Sequence, residues 1–516
     1  MSHNAKIFFL NTITSEIKQT FVHSFIYVSG NFISRALSFL LLPIYTRVLT
    51  PRDYGMVALL DVFSEIVIML ASFVLRDTIF YFFHRAKSDE EKSSIFSSSL
   101  FVVLSLVLTL VIASYKIGEI ISSLLFKTDQ HARLITVWCY ALLFQLPAEV
   151  PLTYFRANNR SVLYNGTMIS QTLLSILCNL VFVVYLRHGV TGVAESLICS
   201  YAIIGGVATF LMFRTVKPSF SFPMVKTMFR YAAPLMLGRS IILAGSTVDK
   251  LLLQRLAGLT DVGLYSLGWR FADTSRAFAW QPFRLYWQSK VFELSHAENG
   301  RCVIALVFTY ITLIMLFIAL AISVVSVDLI RLMAEATFGP AYYVVPILGL
   351  GFIFWCARMF FNFHLLFTGT TKIVPIMDFV HVALLVLFSF ILVPLFAYKG
   401  SAWAFLASSC SSCAIMYMVA QRKYKVNFEW RRLAILFVSG ALAFFLTMPV
   451  SIKSTLLSIA IRLVIAVLCF AGAVYFMGFL SESEKYQARQ LLRWCRDVVK
   501  RRYLLRDKAT PESADI

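Results

Sequence analysis

Charge is what this sequence has least of. Only 14% of its 516 residues are Asp, Glu, Lys or Arg, against about 25% in an ordinary soluble domain. Apolar residues make up 59%, and that excess has no place to go in a cytosolic fold. Acidic residues are the scarcer kind, 27 against 47 Lys and Arg, for a net charge of +20. Long polar segments are also missing. The longest expected outside loops lie near 115–132 and 327–342, too short for a folded extramembrane domain that could carry catalytic groups. No Gly-Lys-Ser/Thr loop is present to cradle phosphates, which excludes an ATP-driven pump in a single chain, and no Ser-His-Asp or metal-ligand pattern stands out. Of the nine cysteines, Cys410 and Cys413 have metal-ligand spacing. They lack a second pair and lie in an apolar stretch, so they read as packing residues. The chain is expected not to be an enzyme and to hold no metal or organic cofactor. Residues 1–20 contain Lys6, Glu16 and Lys18 and no apolar core before a small-residue cleavage site, so no removable signal peptide is expected.

What fills the chain instead is about fourteen apolar stretches between residues 21 and 479, each near the 20 helical residues that cross a bilayer. They start near 21, 54, 97, 134, 161, 190, 228, 262, 303, 343, 373, 401, 432 and 455. Continuous apolar runs point to helices rather than a barrel, because lipid leaves no open strand edge satisfied. The fold class is therefore an all-α polytopic membrane protein.

The spans are duplicated. At a shift of 208 positions, the segment from Arg47 to Gly55 lies on that from Arg255 to Gly263 without a gap. At the same shift Gly192 and Ala194 meet Gly400 and Ala402, Glu65 meets Asp273, and Arg76 meets Arg284. The expected organisation is an N-terminal segment 1–20, a six-helix lobe 21–213, a linker 214–227, a second six-helix lobe 228–421, two appended helices within 432–479, and a basic tail 480–516. Duplicated bundles of this kind commonly move a solute by rocking one half against the other around a site between them. Transport is the reading that follows.

Most Lys and Arg fall on one set of alternating loops, which predicts both termini in the cytoplasm and the Arg47–Tyr54 loop outside. Clusters such as Arg422, Lys423, Lys425, Arg431 and Arg432 are then juxtamembrane and attract anionic membrane lipids. They are too short and scattered to bind nucleic acid.

An ionised side chain near the bilayer centre costs at least about 2.5 kcal/mol, so each one marks a cavity or a partner. The first span carries Asn31, Ser34, Arg35 and Ser38 at i, i+3, i+4 and i+7, and the second carries Asp61, Glu65, Ser72 and Arg76. Two such stripes make the wall of a wet cavity. Arg239, Ser246, Asp249 and Lys250 follow on the seventh span, Arg270, Asp273 and Arg276 on the eighth, Arg358 and Asn362 on the tenth, and Asp378 and His381 on the eleventh. Arg35, Arg239, Arg270, Arg276 and Arg358 together suit an anionic cargo, because guanidinium stays charged and offers a bidentate fork. The alternative is that these arginines pair with Asp61, Glu65, Asp249 and Asp273 to hold the lobes together.

The segment from Arg35 to Gly55, the run Phe229-Arg230-Tyr231-Ala232-Ala233-Pro234-Leu235 and the run Phe338-Gly339-Pro340-Ala341-Tyr342 resemble the polysaccharide-exporter family of oligosaccharide flippases. That family belongs to the multidrug, oligosaccharidyl-lipid and polysaccharide exporter superfamily. The resemblance implies two lobes in a V and transfer of an undecaprenyl-pyrophosphate-linked oligosaccharide from the cytoplasmic to the periplasmic leaflet of the inner membrane. The product would be a surface polysaccharide such as O-antigen or exopolysaccharide, made with polymerase and assembly proteins as partners. It also implies coupling to Na+ or H+ through a carboxylate of one lobe, for which Asp249 and Asp378, with His381 beside them, are the candidates. A multidrug cation antiporter, a peptidoglycan-precursor flippase and a non-transport component of polysaccharide assembly remain as alternatives.

Overall fold

A computed structural model describes residues 33–34, 37–71, 73, 75–295, 297–370, 372–450 and 454–479, and these are helical with no strand among them. In chain order the helices are α1 (Leu41–Val48), α2 (Pro51–Ala71), α3 (Asp77–Arg85), α4 (Asp89–Phe126), α5 (Ala132–Ala157), α6 (Ser161–Asn179, continued by a π-helical turn to Tyr185) and α7 (Gly189–Phe213). Then come α8 (Phe222–Leu256), α9 (Leu259–Ser275), α10 (Gln281–Ser295), α11 (Gly300–Met333), α12 (Val344–Phe367), α13 (Ile373–Lys423), α14 (Trp430–Thr447) and α15 (Thr455–Phe476).

Ten of the described helices are long and apolar enough to cross a membrane. One of them, α13, is two crossings joined at Ala397, whose φ of 49° breaks the helix three residues after Pro394. Leu37–Val48 is a shorter apolar helix, and much of the first expected span lies outside the described residues. The chain is thus a multi-pass, all-helical membrane protein. Asn31 and Arg35 lie outside the described residues.

The helix ends follow local chemistry. Thr50 and Asp53 cap α2 reciprocally: the Asp53 amide donates to Thr50 Oγ1 at 3.2 Å, and the Thr50 amide to Asp53 Oδ2 at 3.1 Å. Pro51 stands at the first helical position, where no amide is needed. Ser88 caps α4 ahead of Asp89, Glu90 and Glu91, whose charge suits a helix N-terminus. Ser221 caps α8 and Pro223 follows, so this helix begins at Phe222, inside the segment expected to be linker.

By packing, the described chain forms two compact units. The first runs to Phe278 and resumes over Ser326–Lys425; the second holds Ala279–Val325 and the described residues from Val426 onward. Within the first unit the repeat is visible in the backbone. Gly189 (φ 60°) and Ala397 (φ 49°) occupy equivalent positions 208 residues apart, and both take the positive φ that turns the chain between two spans. Outward-facing Leu108, Ile112, Leu387 and Phe390 are exposed, as residues facing lipid are. Small residues mark close helix contacts, as where Gly205 of α7 meets Ala148 of α5. Within the second unit, Gly440 of α14 fits against Leu316 of α11, and Thr309 donates to Glu429 at 2.9 Å.

Candidate functional site

The second crossing, α2, places Tyr54, Asp61 and Glu65 at helical spacing on one face. The polar end of α8 contributes Lys250, and α9 contributes Trp269 and Arg270. These side chains, with Gln145 of α5, border a cavity of about 300 Å³. Its walls come from both repeats, so it stands where a rocking carrier needs its site. Arg270 Nη2 lies 3.7 Å from Asp61 Oδ2, and the two side chains keep 40% and 48% of their exposure. The Arg270 guanidinium also sits 5.5 Å over the Tyr54 ring, and the Lys250 ammonium 5.9 Å over Trp269. Ser64 is held by a 2.8 Å bond from Trp138 Nε1. An accessible ion pair this long is weak and exchangeable. The lining therefore offers two cations and two anions that an incoming charged group can re-pair.

The remaining arginines of the sequence pattern go elsewhere. Arg239 of α8 pairs with Asp77 at the start of α3. Arg276 is tied to Asp273 at 2.5 Å and packs over Phe352 and Trp355. Arg358 is buried on α12 with its Nη1 2.7 Å from Asp378 Oδ1, the side chains only 3% and 11% exposed. None of these three borders the cavity. Lys250, Gln145, Tyr54 and Trp269 join it instead. Lys250 was visible in the polar stripe of its span, whereas nothing in a single sequence marks Gln145.

Each candidate coupling group has its own polar partner. Asp249 is fully buried and accepts from Tyr265 Oη at 2.6 Å and from the Lys250 amide at 2.8 Å. Asp378 holds a guanidinium, and His381 Nδ1 meets Ser412 Oγ at 3.1 Å. Among the described residues no group of three or more His, Cys, Asp or Glu could hold a metal ion. A hard cation takes several oxygens at once. Asp378 is already paired with a fixed cation, and Asp249 is met by two neutral donors.

One end of the first unit is closed by a contact that obeys the repeat. Arg47 Nη2 donates to the Leu332 carbonyl at 3.0 Å, and Arg255 Nη2 donates to the Leu124 carbonyl at 2.7 Å. Arg47 and Arg255 are equivalent under the 208-residue shift, and so are Leu124 and Leu332. Each arginine thus caps the carbonyl end of the long helix from the other repeat, where the helix dipole favours a cation. Between them α2 crosses α9 at Gly55 and Gly263. A Cβ on Gly55 would overlap the Leu259 carbonyl, and one on Gly263 would overlap the Pro51 carbonyl, again an exchange of equivalents. Thr46 adds a 3.2 Å bond to the Met333 carbonyl.

The opposite end is built differently. There α3, an extra short helix outside the crossings, packs on α4, α5 and α8. Arg76 just before it bonds Glu149 of α5 at 3.2 Å, and Tyr81 stacks on Tyr231 of α8 at 4.0 Å. The apolar run Ile79 to Phe83 conceals this element in the sequence, because it reads as the tail of a span.

Residues 23–276 match the model of a polysaccharide biosynthesis protein family. Among solved structures, the lipid II flippase MurJ in an inward closed conformation shares the fold with a TM-score of 0.72 and 13% identity, over 88% of this chain and 99% of that one. An inward-facing multidrug-resistance MATE family transporter of the MOP superfamily gives 0.61 and 16%, over 75% and 94%. The Vibrio cholerae MATE transporter VcmN gives 0.54 and 13%, over 79% and 97%. No match is found among curated protein sequences.

Proposed function

We propose that this chain, whose residues 23–276 match the model of a polysaccharide biosynthesis protein family and whose fold is shared with the lipid II flippase MurJ and a MATE transporter, flips an undecaprenyl-pyrophosphate-linked oligosaccharide across the inner membrane. The observation that carries this is the accessible Arg270–Asp61 pair inside a cavity walled by both repeats. A diphosphate cannot leave water for hydrocarbon unless fixed donors replace its hydration. Charge-assisted bonds of about 1.5 to 3 kcal/mol each do that. Arg270 offers a planar fork for two phosphate oxygens, Lys250 a second positive charge, and Gln145 and Tyr54 neutral polar groups for sugar hydroxyls. A cavity of about 300 Å³ is at the lower end of ligand-site sizes and suits the diphosphate with its first sugar; the prenyl chain stays in lipid.

The cycle that fits is alternation about this cavity. The Arg47 and Arg255 clasp closes one end, which the loop charges assign to the outside, with both termini cytoplasmic. Opening the clasp while the α3 end tightens would present the headgroup to the other leaflet. Phosphate at Arg270 would displace Asp61, and Asp61 and Glu65 would then hold Lys250 or an incoming cation between turnovers. Those two acids also fit a multidrug antiporter, whose cationic substrates would pair with them directly.

The test is cellular. Replacing Arg270 by Gln in a strain that depends on this chain should leave the lipid-linked oligosaccharide on the cytoplasmic leaflet and cut surface polymer at least about tenfold, the loss of one charge-assisted bond, with Arg270→Lys restoring part. A full-strength polymer signal in Arg270→Gln, with sensitivity to cationic drugs instead, would point to the antiporter.

A further inference from the structure

Beside α3 lies a cavity of about 500 Å³ bordered by Asp77, Phe80, Tyr81, His84, Arg85 and Arg156. None of these residues lines the central cavity. The Arg85 guanidinium sits 4.4 Å over the Tyr81 ring, and the Arg156 guanidinium 4.9 Å over the Phe80 ring. Neither has a carboxylate within ion-pair distance among the described residues. A guanidinium over a ring face can still turn N–H groups toward phosphate oxygens; Arg156 also meets Tyr164, a neutral partner that leaves its charge uncompensated. The acid in the lining, Asp77, is engaged by Arg239. The pocket thus presents two cations with no carboxylate paired to them among the described residues, their rings covered on the other side by Tyr231 and His84.

We propose that this pocket is a second binding site, for the diphosphate-sugar headgroup of the lipid-linked cargo, occupied before transfer to Arg270. This inference rests on the transport reading above. It also gives loading a mechanical consequence. A phosphate held by Arg85 and Arg156 repels the Asp77 carboxylate and competes for Arg239. That weakens the pair joining α3 of the first repeat to α8 of the second. Cargo at this pocket therefore loosens the end of the unit through which it must pass.

The experiment counts and titrates binding of farnesyl diphosphate to the full chain in phosphatidylcholine nanodiscs by native mass spectrometry. The unaltered chain should take up two molecules. Arg85→Gln with Arg156→Gln should abolish one of them, weakening it at least tenfold, while Arg85→Lys with Arg156→Lys weakens it only a few-fold and Arg270→Gln abolishes the other. Two molecules still bound with unchanged affinity by the paired Gln variant overturn the proposal. So does displacement of the probe from this site by phosphatidylglycerol at equal concentration, which would make it a contact for anionic lipid. Should the paired Gln chain not fold, the paired Lys chain decides: unaltered affinity there refutes the role of the guanidinium forks. If Arg270→Gln alone changes nothing, the central-cavity reading fails, and the loss in the paired Gln variant then counts a headgroup site beside α3 without a second site to receive its cargo.

Discussion

Replacing Arg47 and Arg255 by Gln removes both charged donors from the clasp without emptying the space they fill. Each donates to a carbonyl at the end of a long helix, at 3.0 and 2.7 Å, and both are exposed. A cation at an exposed helix C-terminus contributes about 0.3 to 1 kcal/mol, and solvent screening keeps such contacts at the low end of charged hydrogen bonds. Together they therefore hold this end shut by about 1 to 2 kcal/mol, a factor of roughly 5 to 30 in the closed-to-open ratio. A cysteine at Ala58, which lines the cavity, reports the open state when introduced into a chain stripped of its native cysteines. A membrane-impermeant maleimide applied from the clasp side should label it 5 to 30 times faster in the double variant. Because the two contacts are exchanged by the repeat, each single variant should raise the rate by a similar factor, near the square root of the double. Labelling unchanged within twofold would refute the clasp, and an effect confined to one arginine would refute its symmetry.

Other perturbations follow from the same geometry. Gly263→Ala puts a Cβ onto the Pro51 carbonyl, so it should part α2 from α9, raise labelling of the Ala58 position from the clasp side and slow transfer, with Gly55→Ala doing the same. Arg358→Leu leaves the Asp378 carboxylate buried and unpaired and should destabilise the chain by about 3 to 5 kcal/mol, read as a lower melting temperature in detergent; Arg358→Leu with Asp378→Leu should recover most of it. Any dependence of transfer on Na+ should survive Asp378→Asn paired with Arg358→Gln, because Asp378 already carries a fixed cation; its loss in that variant would contradict that assignment.

The duplication could be read from the sequence because the segment from Arg47 to Gly55 recurs without a gap, and each of its distinctive residues has a structural task. The arginines cap carbonyls, and the glycines allow α2 and α9 to touch. The wet cavity could be read as well, since Asp61 and Glu65 sit four apart on an apolar helix. Which basic groups meet them was not legible. Helical periodicity says which face of its own helix a residue occupies, but not which neighbour covers that face. Arg239, Arg276 and Arg358 looked alike in sequence, yet Arg239 reaches Asp77 outside the crossings, Arg276 folds back on Asp273 one turn away, and Arg358 is enclosed with Asp378. Lys250 enters the cavity because α8 turns that residue toward α2 while hiding Asp249 against Tyr265. Helix α3 went unseen for a related reason: its apolar and aromatic residues continue the preceding span by composition, and only the backbone turn at Arg76, with φ of 44°, separates the two.

The most direct test of the account is transfer itself, measured in vesicles that contain only this chain and a fluorescent undecaprenyl-diphosphate oligosaccharide placed in one leaflet. Appearance of the label in the opposite leaflet is followed by an impermeant quencher or a sugar-specific enzyme. Transfer should run well above that in protein-free vesicles, fall at least about tenfold in Arg270→Gln and recover in part in Arg270→Lys. Equal leaflet exchange with and without the chain, or a rate that Arg270→Gln leaves untouched, would contradict it.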